Sequence, residues 1–207
     1  MTLRNKTQKF TARMVGPALV GALVLANVCA PRALAQGGHA HAATADQSQP
    51  TQEQLNQANA LVKIVKDSTA RFQDVKQAMA DGYALQFGCV SGDGSGAMGL
   101  HYVNGALVGS GIIDATRPQI VIYEAQPDGS LKLTGADFLV FANAWSVNHS
   151  DPPQLMGQLF HLFDAPNRFG LPAFYTLHVW AWKDNPNGAF VNWHPNVSCA
   201  SYGAQNQ

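Results

Sequence analysis

The chain has 207 residues, with 13 Lys plus Arg against 13 Asp plus Glu, a formal net charge of zero and 13% charged residues overall. Past the N-terminus no Lys/Arg cluster exists that would neutralise a run of phosphates, which excludes a nucleic-acid binder. The length suits one hydrophobic core rather than several domains.

The first segment reads as an export signal. A basic start is followed by an apolar run from Met14 to Ala26, and Ala33-Leu34-Ala35 stands directly before Gln36. This is the order of a signal peptide over residues 1–35 with an Ala-x-Ala cleavage site. The run is short and interrupted by Gly16, Pro17 and Gly21, against the roughly 20 apolar residues a span requires. The expectation is a periplasmic or secreted protein with no membrane association after signal cleavage.

Residues 36–50 are mostly Gly, Ala, His, Ser and Gln without apolar periodicity, which predicts a flexible tail carrying His39 and His41. Cleavage after Gln36 would expose Gly37-Gly38-His39, whose amine, amides and imidazole can take copper in a square plane. Cleavage after Ala35, which the small-residue rule favours, removes that arrangement.

Residues 51–207 read as a single globular domain. Thr51 and Gln54 have capping-box spacing, and Leu55, Leu61, Val62, Val65, Phe72, Val75 and Met79 follow at helical spacing. Asp81-Gly82 supplies the stop. The spacing predicts one long helix packed on a sheet. Gly94-x-Gly96-x-x-Gly99 superficially matches a dinucleotide fingerprint, but it follows a helix and precedes the strand Leu100 to Val103, the reverse of what that fingerprint needs. The Gly-rich stretch from Gly88 to Gly111 therefore reads as a surface loop. Gln119 to Glu124 is a strand by its β-branched content, Gln126-Pro127-Asp128-Gly129 a turn, and Leu131 to Thr134 the hairpin partner. Ala136 to Ala142 and Phe174 to Trp182 add further strands. The fold class is α+β: one long N-terminal helix packed on a curved, mainly antiparallel sheet or partial barrel.

Once Cys29 leaves with the signal, Cys89 and Cys199 are the remaining thiols, and an oxidising compartment pairs them. In the chain-entropy model, closing a loop of about 100 residues contributes about 4.7 kcal/mol.

Chemistry is carried by His and carboxylate residues on the strands. Glu124 shares the two-residue period of Ile120 and Ile122, Asp137 falls in register with Leu139 and Phe141, His178 lies within an aromatic strand, and His101 follows the glycines. His101, Glu124, Asp137 and His178 together form a candidate two-His, two-carboxylate metal set suited to iron, manganese, copper or zinc. His149, His161 and His194 lie in polar or Pro-bounded segments and read as surface or rim residues. The competing reading is a structural or interaction protein whose histidines are hydrogen-bonded in the core and whose acids pair with Arg117 or Lys132. Ser91 and Ser95 lack a nucleophile-elbow context. Trp180, Trp182 and Trp193 read as core or pocket wall, with stacking on a planar ligand as the alternative.

Met98-Gly99-x-His101-Tyr102, the pair Tyr123-Glu124, and the run Leu177-His178-Val179-Trp180 through Asn185-Pro186-x-Gly188 to Trp193-x-Pro195-x-Val197-Ser198-Cys199 together resemble a family of exported bacterial proteins without an assigned function. The resemblance covers the chain from the long helix to Cys199 and implies no reaction. In that family an Asn stands in the place of His194 and a Glu in the place of Asp137, so it implies no ligand role for His194. The functional expectation is an exported protein binding a metal ion or small ligand at its His/carboxylate site. As an enzyme it would use the metal as a Lewis acid with an open position, and Glu124 or Asp137 as ligand or general base.

Overall fold

The computed structural model describes residues 49–205. The signal peptide, His39 and His41, and the copper-binding terminus lie outside the described residues. Among the described residues no helix is long and apolar enough to cross a membrane.

Helix α1 (Gln52–Thr69) opens as the sequence predicts, with Thr51 accepting from the Gln54 backbone while the Gln54 side chain returns to the Thr51 N–H. The predicted single helix is, however, broken into three pieces. A 3-10 turn covers Ala70–Gln73, and α2 spans Val75–Ala80. The Thr69 hydroxyl donates back to the Val65 carbonyl at 2.6 Å. Asp74 then accepts from the Lys76 N–H at 3.0 Å and starts a new helix. Short polar side chains compete with the helical ladder in this way. The break turns Met79, 57% exposed, out of the predicted apolar face, and Leu55 is exposed at the other end.

The six-stranded antiparallel sheet runs in the order β1-β2-β3-β4-β8-β7 and curves into a half-barrel. Its strands are β1 (Tyr83–Gly92), β2 (Gly96–Asn104), β3 (Ile120–Ala125), β4 (Leu131–Phe141), β7 (His161–Phe163) and β8 (Phe174–Val179). Two two-residue strands, β5 (Gln154–Leu155) and β6 (Gln158–Leu159), form a separate ribbon. The short helices are α3 (Gly105–Ser110), α4 (Ala142–Trp145) and α5 (Ala200–Gln205).

The Gly-rich stretch is not a loop but most of the β1–β2 hairpin, turning at Asp93 to Ser95. Its glycines answer to close packing. A Cβ at Gly96, where φ is +81°, would lie 2.1 Å from the His194 carbonyl oxygen, so the C-terminal segment can reach the sheet only because that position is Gly. Leu131–Thr134 and Ala136–Ala142, expected as separate strands, are nearly all one strand, β4, which runs through Gly135. There a Cβ would meet the Val179 carbonyl at 2.4 Å. The Gln126–Gly129 turn closes β3 onto β4 as expected, the Gly129 N–H donating to the Gln126 carbonyl at 3.0 Å.

The period-two alternation of the strands gives the sheet two unlike faces. One packs on the helices. Leu61 and Val65 lie against Ala136, Phe138, Leu177 and Val179, and Phe72 lies against Tyr83, Leu100, Val121 and Tyr123. Burial of each large side chain here is worth roughly 1.5–3 kcal/mol. Polar anchors fix the layer: the Tyr123 hydroxyl donates to the Phe72 carbonyl at 2.6 Å and the Trp182 indole to Thr69 Oγ1 at 3.0 Å. The other face carries Ile120, Ile122, Leu139 and Phe174. Cys89 and Cys199 are bonded, with Cα atoms 5.6 Å apart, tying the C-terminal segment to β1.

Candidate metal centre

His101 on β2, Asp137 on β4 and His178 on β8 rise from the face opposite the helices. Asp137 lies directly across from His178 on one side and Ile120 on the other, while His101 is across from Ile122. β2 and β4 are separated by β3, two strand spacings or about 9.6 Å in a flat sheet. Curvature closes that gap. All three side chains are buried, and one ligand atom from each lies within 4.8 Å of the others. The two imidazole centroids are 6.1 Å apart at 80°.

The hydrogen bonds decide which atoms are available. His101 Nδ1 is 3.2 Å from the Gly99 carbonyl oxygen. A carbonyl only accepts, so Nδ1 holds the proton and Nε2 presents its lone pair, the arrangement common in metal-binding histidines. Asp137 Oδ1 accepts from the Thr176 hydroxyl at 2.5 Å. Its Oδ2 is 3.9 Å from His178 Nδ1, too far for a hydrogen bond. His178 Nε2 is buried with no hydrogen-bond partner. Such an orphan is costly, which makes it informative.

Burial dominates the electrostatics. It pushes His101 down to about 4, against the opposing pull of the Gly99 hydrogen bond. It pushes His178 well below the usual imidazole range, with His101 and His194 adding to the effect. Asp137 is pushed up to about 7 by burial, against hydrogen bonds from Thr176, Phe138 and Leu177 that favour its charged form. Among the described residues no Lys or Arg forms an ion pair with Asp137. At neutral pH both imidazoles are therefore neutral with a lone pair to give, and the carboxyl sits at the edge of ionisation without a counter-charge. Two imidazoles and one carboxylate form a donor set for a divalent transition ion. Metal bonds of about 2.0–2.2 Å place neighbouring ligand atoms roughly 3 Å apart, so side-chain rotation must draw the trio inward.

Glu124, expected in this set, stands apart from it. It lies four residues along β3 from Ile120, roughly 13 Å of strand. Its Oε2 pairs with Lys183 Nζ at 2.6 Å and its Oε1 accepts from the Ser198 N–H at 3.1 Å. The partner is neither Arg117 nor Lys132 but a lysine from the C-terminal segment, which strand periodicity cannot reveal. His194 also departs from expectation: it is fully buried, its Nδ1 accepting from the Asn196 N–H at 3.0 Å and its ring edge-on to Trp180 at 4.8 Å. His149, stacked on Trp145, and His161 are exposed as expected.

Thr176 carries no motif in the sequence, although its spacing of two from His178 puts both on one face. A cavity of about 30 Å³ adjoins the trio, and Asn192 lines it with a buried, unpartnered Oδ1. Nothing in the sequence marks Asn192, because it reaches the site from an irregular segment. The chain matches no protein-family model, no curated protein and no solved structure.

Proposed function

We propose that this protein binds a divalent first-row transition ion through His101 Nε2, an imidazole nitrogen of His178 and the Asp137 carboxylate, leaving coordination positions open to a small ligand. The observation that carries the reading is the buried trio itself, with an unpartnered imidazole nitrogen beside a carboxyl that lacks a cation. A bound ion would satisfy both defects at once. Iron(II), manganese(II) and zinc(II) suit this donor set, whereas copper(II) prefers a tetragonal arrangement. The ion would supply a Lewis acid. Thr176 would hold the carboxylate, and the Gly99 carbonyl would hold the His101 tautomer.

The Cys89–Cys199 bond is compatible with an extracytoplasmic site of action, and we place the protein in the periplasm or the secreted fraction. Membership of the exported bacterial family belongs to the same proposal, since two of the motif segments that resemble it, around His101 and His178, supply the imidazoles. Elemental analysis of untagged protein from its native compartment, beside a His101→Ala, His178→Ala variant, tests the reading. Stoichiometric metal lost in the variant supports it. Metal-free protein that no ion stabilises rejects it in favour of histidines with a purely structural role.

A further inference from the structure

The β1 strand does something unusual beside the metal ligands. Gln86 pairs with His101 and Cys89 with Leu100, so Phe87 and Gly88 are extra residues bulged out of the ladder next to His101. Phe87 adopts φ +64°, a left-handed conformation that is strained for a bulky side chain. Bulges of this kind re-aim a side chain. Here the bulge sends an aromatic ring over the site, where it lines the cavity shared with His101, Asp137 and His178 while remaining 49% exposed. Phe87 therefore stands at the mouth. Its ring meets that of Phe169 edge-on at 5.4 Å, and Phe169 continues to Phe163 and Phe174 at 6.1 and 6.0 Å.

The polar lining of the cavity is the trio with Thr176 and Asn192. The rest is aromatic and aliphatic, and no Lys or Arg lines it. An anion entering this way would shed its hydration with no cation to replace it, whereas a divalent cation would exchange its hydration for the two imidazoles and the Asp137 carboxylate. The volume of about 30 Å³ exceeds what one water needs, so a small molecule fits.

We infer that Phe87 gates a passage from solvent to the His101/Asp137/His178 centre and that the passage admits small neutral molecules while rejecting anions. This rests on the metal-binding reading for its purpose, but the passage is testable in metal-free protein. Dissolved dioxygen, neutral and paramagnetic, is the probe, read by broadening of the His101 and His178 ring resonances. Iodide, read by shifts of the same resonances, is the charged counterpart.

Breaking the Phe87–Phe169 edge contact lowers the cost of opening, so Phe87→Ala is expected to increase the dioxygen effect roughly tenfold. Phe87→Trp, which fills the mouth, is expected to reduce it, and iodide is expected to leave the rings unshifted in all three proteins. Equal broadening in wild type and both variants, or iodide reaching the rings as readily as dioxygen, would overturn the proposal. Cobalt(II) titration of the same samples separates the two claims. Gated dioxygen entry without cobalt binding would support the passage and reject the metal centre, whereas cobalt binding with ungated entry would do the reverse.

Discussion

Thr176 donates its hydroxyl proton to Asp137 Oδ1 across 2.5 Å, between neighbouring strands and out of reach of solvent. This bond favours the charged carboxylate against the burial that opposes it. Thr176→Val keeps the β-branched shape and removes the donor. The expected result is a higher Asp137 pKa and roughly tenfold weaker metal binding at pH 7, measured by calorimetric titration.

Metal binding is expected to depend on pH through Asp137 rather than through the histidines. Burial leaves His101 unprotonated above about 4 and His178 likewise well below the ordinary imidazole range, whereas Asp137 keeps its proton up to about 7. Each ion that binds below pH 7 displaces that one proton. Affinity is thus expected to rise about tenfold per pH unit between pH 5 and 7 and to level off above. Titrations in buffers of different ionisation enthalpy measure the proton released.

The metal-free protein is expected to gain stability with rising pH up to about 7 and to change little above it. Unfolded Asp titrates near 3.9 and unfolded His near 6.5. With Asp137 raised to about 7, the folded state holds a proton that the unfolded state lacks between these values, and this group's contribution falls as pH rises. His101, lowered to about 4, and His178 have the opposite sign: the unfolded state binds their protons below 6.5, so their contribution grows as pH rises. Two histidines against one acid give a net rise of roughly 1 kcal/mol per pH unit from pH 5 to 6. The curve levels off near pH 7 as the last unfolded-state histidine protons are lost and Asp137 ionises. Denaturant unfolding checks this, and Asp137→Asn is expected to steepen the rise between pH 5 and 6 to roughly 2 kcal/mol per pH unit, because the opposing proton is gone.

Glu124→Gln distinguishes a structural acid from a ligand. Removing the carboxylate leaves Lys183, whose side chain is 24% exposed, without its ion pair and weakens the hold on the Ser198 N–H. A loss of about 2 kcal/mol of stability is expected. Metal stoichiometry is expected to stay at the wild-type value.

The sequence made the α+β class legible because the Thr51/Gln54 cap, the β3–β4 turn and strand alternation are local signals. It made the three proposed ligands legible for the same reason, since period two places His101, Asp137 and His178 on one face once the strands are known. It failed at Glu124 because a strand's face says nothing of position along the strand, and the choice between Asp137's trio and Lys183 is made by long-range register. The Gly-rich hairpin looks like a loop in the sequence because those glycines serve close contacts with strands and segments distant in sequence, such as His194 above Gly96. Phe87 carried no signal, since a bulge depends on the partner strand's register.

Anomalous diffraction from crystals soaked with manganese(II) or zinc(II) tests the central claim most directly. The account predicts one strong peak within about 2.0–2.3 Å of His101 Nε2, a His178 nitrogen and an Asp137 oxygen, absent in Asp137→Ala. A peak bound only by exposed residues such as His149 or His161, with the buried trio empty, would contradict it.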